Sequence, residues 1–359
     1  MAGSASLSKN NLDCLRLILA SIVVLVHGAD LTGIPAFSAF DRYLSAVFAV
    51  KAFFVISGLL IYRSYARSSS ISSYLEKRAR RIYPAYFTIV VLAAIGLWPL
   101  STLPVSQYFG VGFWKYLGAN LVFLNFLAPT LPGVFTSNIE PFVNGALWTL
   151  KIEVAFYLSV PVIHYFCRRY GTKKTVGTIV CLACSWKYGL AGLDFWARSR
   201  GFHPVYGSHS VYWKLENQLP AQLIYFCAGI LLLLYFDTLK LHFRAIFWIT
   251  ACLFPLDHWF TGGFLDVLWI SGLVFCFGFW RYFGNFSKYG DFSYGVYIVH
   301  APILQTLIAL GLVKLNPAVF LTLALSLIFL ASALMWYLVE SRFLASSSHY
   351  REGLLKAPA

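Results

Sequence analysis

The stretch Asn10–Asp30, NNLDCLRLILASIVVLVHGAD, predicts an apolar helix with Arg16 near its start and His27 near its end. At 1.5 Å per residue, the step from Arg16 to His27 spans about 16 Å. An ionisable side chain inside a membrane helix is costly and usually has a function. His27 is therefore a candidate general base, and Asp30, one turn later, can orient its imidazole. The alternative is a polar residue at the membrane interface, which its position alone favours slightly.

The composition is that of an integral membrane protein. Of 359 residues, 59% are hydrophobic, 18% aromatic and 12% charged, and the mean hydropathy is +0.70. These values exclude an ordinary soluble domain. The net charge is +14, but the lysines and arginines lie in short loops between apolar runs, which encodes membrane topology rather than nucleic-acid binding. The seven cysteines are scattered, and the single CxxC, Cys181 and Cys184, lacks the second pair or histidine cluster of a metal site.

The hydrophobic pattern predicts an all-α membrane protein with about ten transmembrane helices, since a span needs roughly 20 apolar residues. The predicted spans are 12–30, 43–62, 82–100, 146–166, 174–191, 219–236, 244–260, 264–281, 293–313 and 317–338. The first run lacks a cleavage pattern, so we expect it to remain as a helix. An additional apolar piece, 107–128, is predicted to be re-entrant or interfacial, because a full crossing there conflicts with the loop charges. The less favoured alternative is that this region crosses twice.

Loop charge predicts the orientation. Basic residues cluster in four loops: 63–81, 168–174, 240–244 and 281–288. With the N-terminus inside, ten spans place all four loops and the C-terminus in the cytoplasm. We therefore expect one membrane-embedded domain, residues 1–345, and a cytoplasmic tail, 346–359. The outer loops 129–145 and 192–218 either contact an acceptor or simply connect helices.

A group of arginines precedes the third span. In Ser73–Pro84, SYLEKRARRIYP, Arg78 and Arg81 share a face if the helix has already begun, and Arg80 adds a third guanidinium. The positive-inside rule explains much of this cluster. The alternative is a site for an anionic cytosolic ligand such as a coenzyme A thioester, because arginine pairs well with phosphate.

Two further segments carry polar residues within apolar runs. Gly145–Tyr157, GALWTLKIEVAFY, holds Trp148 and the intramembrane Glu153. Glu153 is a candidate functional residue, or it forms a structural ion pair with Lys51. The segment 293–302, SYGVYIVHAP, places Tyr297 and His300 one turn apart, so that they face one cavity or hydrogen-bond between helices.

Taken together, these segments resemble the membrane-bound acyltransferase-3 family, which includes bacterial O-antigen and exopolysaccharide O-acetyltransferases. The resemblance rests on five motifs in the family's order over almost the whole chain: Arg16 and His27, FFVISGLLIY at 53–62, Arg78 with Arg81, WTLKIEVAFY at 148–157 and SYGVYIVH at 293–300. The chain has WTL where WSL is usual, and Glu340-Ser-Arg-Phe where many relatives have Glu-Pro-Phe. We expect neither departure to touch the proposed chemistry.

The resemblance implies a protein of the bacterial inner membrane with ten spans. It implies a cytosolic acyl-CoA donor, most commonly acetyl-CoA, and an acceptor sugar hydroxyl near the outer face. His27 is the implied catalytic residue, Arg16 and the Arg78–Arg81 pair support donor binding, and Glu153 falls on the acidic motif position.

These observations predict that Arg78, Arg80 and Arg81 hold CoA phosphates while His27 activates the acceptor hydroxyl or transiently carries the acyl group. Glu153 is expected to position His27 or balance its charge. A second set of residues is expected to bind the acceptor: Trp148, Tyr297 and His300. A transporter of a sugar or lipid intermediate is the main alternative, because buried histidine, glutamate and lysine also suit one. A non-enzymatic membrane scaffold is the second alternative, although it does not require polar residues in so many spans.

Overall fold

The computed structural model describes residues 9–202, 205, 206, 209–261 and 263–345, and the tail 346–359 of the predicted domain layout lies outside these ranges. The regular secondary structure of the described chain is helical except for one antiparallel pair of two-residue strands, β1 (Val205–Tyr206) and β2 (His209–Ser210). The prediction of an all-α fold is therefore confirmed at this level.

The helices follow in chain order and differ greatly in length. The first eight are α1 (Leu12–Thr32), α2 (Ser38–Tyr43), α3 (Ala46–Ala66), α4 (Ile71–Gly96), α5 (Val105–Tyr108), α6 (Val111–Leu121), α7 (Trp148–Tyr170) and α8 (Thr172–Ser199). The others are α9 (Val211–Glu216), α10 (Leu219–Leu234), α11 (Phe236–Leu241), α12 (Phe243–Leu256), α13 (Asp266–Phe279), α14 (Ser293–Ala309), α15 (Pro317–Met335) and α16 (Ser341–Phe343). Single π-helical turns, Asp257–Thr261 and Trp336–Glu340, follow α12 and α15.

Six helices in the described ranges are long and apolar enough to cross a membrane. They are Leu12–Thr32, Ala46–Ala66, Gly145–Tyr170, Thr172–Ser199, Val211–Leu234 and Pro317–Phe343. Three of these ranges combine neighbouring elements: a 3-10 turn with α7, α9 with α10, and α15 with its π-helical turn and α16. The predicted count of ten is not confirmed. Three of the other predicted spans coincide with helices of 14 to 17 residues, α12, α13 and α14. The fourth lies in α4, whose first half is rich in arginine and lysine.

The segment 107–128 contains no long helix. It holds the end of α5, the 11-residue α6 and a short 3-10 turn, Asn125–Leu127. At 1.5 Å per residue α6 is about 16 Å long, too short to cross the roughly 30 Å hydrocarbon layer alone. Its re-entrant or interfacial placement stays a prediction.

The chain divides into two compact units. The His27 unit comprises Asp13–Ala49, Glu76–Lys151 and Phe283–Ala359. The Glu153 unit comprises Met1–Leu12, Val50–Leu75 and Ile152–Tyr282.

In the His27 unit, α14 is buried along nearly its whole length. It packs against α15, and the contact is close at Gly295, where an added Cβ would lie 3.1 Å from the Cα of Ser332. Pro302 interrupts α14 and cannot donate to the carbonyl of Ile298, one turn earlier. The Asn144 side chain donates to that carbonyl at 2.8 Å, so the orphaned acceptor is satisfied.

In the Glu153 unit, α3 and α10 approach each other through glycines. A Cβ at Gly58 would lie 2.0 Å from the Phe226 carbonyl oxygen, and one at Gly229 would lie 2.0 Å from the Val55 carbonyl oxygen. Phe156 of α7 stacks on Phe226 with ring centroids 4.3 Å apart. Small residues thus let two helix backbones meet, as is common between membrane helices.

Candidate active site

His27 and His300 form a direct pair in the His27 unit. His27 Nδ1 lies 2.9 Å from His300 Nε2, with ring centroids 5.1 Å apart. His300 is fully buried, whereas His27 stays partly exposed. The sequence predicts Asp30 as the group that orients His27, but Asp30 is exposed and the imidazole partner is His300.

The neighbours of His300 fix which nitrogens carry protons. His300 Nδ1 lies 2.8 Å from the Tyr297 carbonyl oxygen and 3.3 Å from that of Val296. Carbonyl oxygens only accept, so His300 Nδ1 is the donor and its Nε2 carries the lone pair of a neutral ring. His27 Nδ1 must then donate to His300 Nε2, which leaves the lone pair of neutral His27 on Nε2. That nitrogen can accept a proton without any change in the pair.

Tyr297 joins the site to the start of α7. Its hydroxyl lies 2.8 Å from Thr149 Oγ1 and 3.4 Å from the Ala146 carbonyl oxygen, to which Thr149 itself donates at 3.0 Å. Tyr297 and His300 therefore both hydrogen-bond to residues of other helices, which is the alternative given for this segment, and their role in acceptor binding stays a prediction. Thr149 is the residue that departs from the WSL pattern, and serine would supply the same hydroxyl. The departure therefore contacts a predicted site residue, and the expectation that it leaves the chemistry unchanged stays a prediction.

A buried ionic cluster lies at the beginning of α14. Asp291 accepts from Arg16 at 2.7 Å and from Arg81, and Arg81 also donates to Glu340 at 2.8 Å. Burial alone would raise the pKa of Asp291, but the two guanidinium groups and the hydrogen bonds from Ser293 lower it to about 2. Two positive and two negative side chains are thus close together.

This cluster changes the interpretation of two predicted donor-binding residues. The guanidinium groups of Arg16 and Arg81 already face buried carboxylates, so their geometry is that of ion pairs within the protein. Glu340, one of these carboxylates, is the residue that the chain shares with the Glu-Pro-Phe pattern, and the departure itself lies at Ser341 and Arg342.

Arg78 and Arg80 are placed differently from Arg81. The helix has begun at Ile71, so the condition for a shared face of Arg78 and Arg81 is met. Arg80 is exposed and pairs with Glu76 at 2.8 Å one turn earlier. Arg78 is partly exposed. Exposed ion pairs are weak, so Arg80 can exchange its partner for another anion.

Glu153 lies in the other unit, on α7. Ser57 of α3 donates to its two carboxylate oxygens at 3.0 and 2.9 Å. The suggested ion pair between Glu153 and Lys51 is not formed, because Lys51 pairs with Asp266 at 2.6 Å. Trp148, the first residue of α7, is partly exposed. The proposed roles of Glu153 and Trp148 stay predictions.

The match to a known family covers most of the chain and, with the exception of Glu340, all the side chains described above. Residues 9–337 match the acyltransferase-3 model, which is described as an acyltransferase domain. The chain belongs to the acyltransferase-3 family.

Relatives of this acyltransferase-3 chain include two that align over most of its length. Nodulation protein 10 of Rhizobium leguminosarum bv. viciae is 28% identical over 84% of the chain and 85% of its own length. An O-acetyl transferase of Shigella phage Sf6 is 28% identical over 94% and 97%. The O-acetyltransferase OatA of Staphylococcus aureus is 29% identical over 41% of the chain and 25% of its own length. No solved structure gives a significant match.

Two residues that contact the predicted site residues escape sequence reasoning. Ser57 lies in the quoted FFVISGLLIY motif, and Asp291 lies two residues before the SYGVYIVH motif. Asp291 gives a usable signal, since acidic residues number only 14 against 28 basic ones and this one flanks a motif. Within the described ranges, no cluster of three or more His, Cys, Asp or Glu side chains is arranged to hold a metal ion.

Proposed function

We propose that this chain is an integral membrane O-acyltransferase that moves an acyl group, acetyl in the first instance, from cytosolic acyl-CoA to a hydroxyl of a surface or exported carbohydrate. The observation that carries the proposal is the His27–His300 pair, because it orients a neutral imidazole with its lone pair on Nε2. Membership of the family and the names of the relatives support the reaction class.

In the direct mechanism, His27 Nε2 takes the proton of the acceptor hydroxyl while the hydroxyl oxygen attacks the thioester carbonyl. A carbon–oxygen bond forms, the carbon–sulfur bond breaks, and His27 returns the proton to the departing CoA sulfur. His300 keeps its hydrogen bond to His27 Nδ1 throughout, and it stabilises the imidazolium that forms.

In the alternative relay, His27 Nε2 attacks the thioester carbonyl, the carbon–sulfur bond breaks and CoA leaves as the thiolate, so the ring becomes an acyl-imidazolium with its proton still on Nδ1. The acceptor hydroxyl then attacks the acyl carbon, the carbon–nitrogen bond breaks to free Nε2, and the hydroxyl proton passes to water, from which the CoA thiolate takes up a proton. Both routes need the same lone pair, so the pair supports either of them. They differ in whether label remains on the protein when donor is supplied without acceptor.

Donor binding is assigned to the arginines that remain accessible. Arg80 is exposed and Arg78 is partly exposed on the first half of α4, and we assign the CoA phosphates to these two. Arg16 and Arg81 act by holding Asp291, and hence the beginning of α14, rather than by direct contact with phosphate. We keep Tyr297 and Trp148 as acceptor-side residues and Glu153 as a group that positions or charge-balances His27.

The proposed location is the inner membrane with both termini in the cytoplasm, as the basic loops predict. This orientation supplies the donor from one side and delivers the product on the other.

The deciding experiment uses membranes that contain the chain, radiolabelled acetyl-CoA and a surface glycan fraction from the source cells. Label that enters the glycan, and is released by mild alkali as an ester should be, supports the proposal. Passage of unmodified glycan precursor across the membrane without label transfer would instead identify a transporter. Membranes that lack the chain are the control.

A further inference from the structure

A second buried charge cluster lies within the Glu153 unit, centred on Asp266 at the start of α13. Its carboxylate accepts from Lys51 at 2.6 Å, from Lys187 at 3.1 Å and from the Tyr225 hydroxyl at 2.6 Å. Asp266 is 4% exposed, Lys187 6% and Tyr225 fully buried. Ionisable groups inside apolar helices are costly and usually mark a functional site.

The ammonium group of Lys187 is fully hydrogen-bonded. Besides Asp266, its ammonium group donates to the Tyr225 hydroxyl at 2.9 Å and towards the Gly263 carbonyl oxygen at 3.5 Å. The rings of Tyr188 and Tyr225 lie 5.1 and 5.4 Å from its Nζ. An ammonium group has three N–H donors, so Lys187 has acceptors for all of them and serves as a structural element.

The ammonium group of Lys51 is only partly hydrogen-bonded within the described ranges. Its ammonium group makes one hydrogen bond to the described part of the chain, the bond to Asp266, and its Nζ lies 5.4 Å from the Tyr225 ring. Its side chain is 20% exposed, against 7% for Lys187. Two of its N–H donors therefore point away from described acceptors, in a cluster that is otherwise saturated.

The carboxylates around the two lysines leave N–H donors of Lys51 without an acceptor among the residues that the structure describes. Two ammonium groups share the single carboxylate that contacts them. Glu216 is close enough to act electrostatically on both lysines, yet its carboxylate forms no ion pair within the described ranges. Because Glu216 makes no ion pair with Lys51, the two remaining N–H donors of Lys51 stay available for another acceptor.

We propose that Lys51 is the exposed face of an oxyanion-binding site, with Asp266, Lys187 and Tyr225 as its rigid support. The ligand is a carboxylate or phosphate group that accepts the two remaining N–H bonds of Lys51. Two sources offer this chemistry, the acidic group of a sugar and the phosphate of a lipid headgroup. The site does not depend on the proposed acyl transfer.

The test uses the purified full chain in nanodiscs of phosphatidylcholine. Reductive methylation is followed by peptide mass spectrometry at Lys51 and, as an internal control, at Lys115, an exposed lysine of the other unit. Sodium glucuronate and inorganic phosphate are compared with glucose and chloride at constant ionic strength. We expect an oxyanion to slow modification of Lys51 about tenfold, the effect of one charge-assisted hydrogen bond, and to leave Lys115 unchanged.

A lipid arm separates the two sources. If nanodiscs with phosphatidylglycerol protect Lys51 without added anion, the ligand is a lipid phosphate. Protection by glucuronate or phosphate in phosphatidylcholine alone assigns a soluble oxyanion, and both results support the site. Equal protection of Lys51 and Lys115, or no protection of Lys51 in any arm, would overturn it.

Variants add a second readout, the rise in melting temperature on addition of the protecting anion. We expect this rise in Lys51→Arg and in the control Lys115→Met, and its loss in Lys51→Met. An undiminished rise in Lys51→Met contradicts the proposal, even where that variant starts from a lower melting temperature.

Discussion

Asp291 shows how a single residue can hold three elements in the His27 unit. Its carboxylate receives Arg16 from α1 and Arg81 from α4, and it also accepts from the backbone N–H of Ser293 at the start of α14. The preceding Gly290 has φ +136, and a Cβ there would lie 2.3 Å from the Trp336 indole nitrogen. Only glycine fits at position 290, because a side chain there would collide with the Trp336 indole and the backbone angle is unfavourable for other residues. This backbone conformation lets the next residue, Asp291, contact the two guanidinium groups.

We predict that Asp291→Asn destabilises the chain by about 3–5 kcal/mol, because it leaves two partly buried guanidinium groups without their shared charge. The measurement is the decrease in melting temperature of the purified protein relative to the wild-type chain. The control is Asp237→Asn, which changes an exposed aspartate of α11. An Asp291→Asn variant as stable as the control would show that the ion pairs contribute nothing.

The pKa of Asp291 sets the pH range of this contribution. Its folded value, about 2, is lower than the value of about 3.9 for an unfolded aspartate. The stabilisation is therefore complete above about pH 3.9 and is lost only as the pH falls through about 2. The stability advantage of the wild-type chain over the Asp291→Asn variant should therefore shrink as the pH is lowered from about 3.9 towards 2, as measured by melting temperature.

At the scale of helices, prolines and their neighbours explain how the site segments are held. Pro161 of α7 leaves the Tyr157 carbonyl without its helical donor, and the Tyr74 hydroxyl donates to it at 3.1 Å. Pro302 of α14 leaves the Ile298 carbonyl, and Asn144 donates to it. The second case matters for function, because His300 lies between Ile298 and Pro302.

We predict that Asn144→Ala lowers stability by about 1–3 kcal/mol, since a buried carbonyl loses its donor. Adding Pro302→Ala restores an N–H that can reach Ile298, so the double variant should regain most of the melting temperature. Pro302→Ala alone is the control, and a double variant as unstable as Asn144→Ala would contradict this account.

The contact between α3 and α10 gives a second prediction for helices. Gly58→Ala places a methyl group 2.0 Å from the Phe226 carbonyl oxygen, so the two backbones must separate. We expect a loss of about 1–3 kcal/mol in stability, the usual cost of overpacking. Gly177→Ala on α8, where an added Cβ meets nothing within 4 Å, is the matched control and should be neutral or slightly stabilising.

For the whole molecule, the sequence predicts what depends on local pattern and fails where distant segments meet. His27, Glu153 and the arginines stand out as polar residues in or beside apolar runs. The pairing of His27 with His300 is a contact across 273 positions, and no local spacing reveals it. The same holds for Arg81 and Glu340, which are 259 positions apart. The predicted number of spans fails for a related reason. The apolar runs are visible in the sequence, but the helices that form there, of 14 to 17 residues, are shorter than a full span requires.

The orientation of the whole chain is tested by cysteine accessibility. In a variant whose seven cysteines are replaced by alanine, Ser69→Cys marks the loop before α4 and Arg200→Cys marks the end of α8. We predict that an impermeant thiol reagent labels position 200 in intact cells and position 69 only after permeabilisation. The reverse result would invert the proposed topology and place the arginines on the outer face.

The central claim is that His27 activates the acceptor. Initial rates of label transfer from acetyl-CoA to glycan, at matched amounts of protein in the membrane, test it most directly. We predict that His27→Ala lowers the rate by at least about 10²–10⁴-fold, the usual contribution of general-base catalysis, while the control His258→Ala, an exposed histidine, stays at the wild-type rate. A His27→Ala variant that transfers label at the wild-type rate would contradict the account.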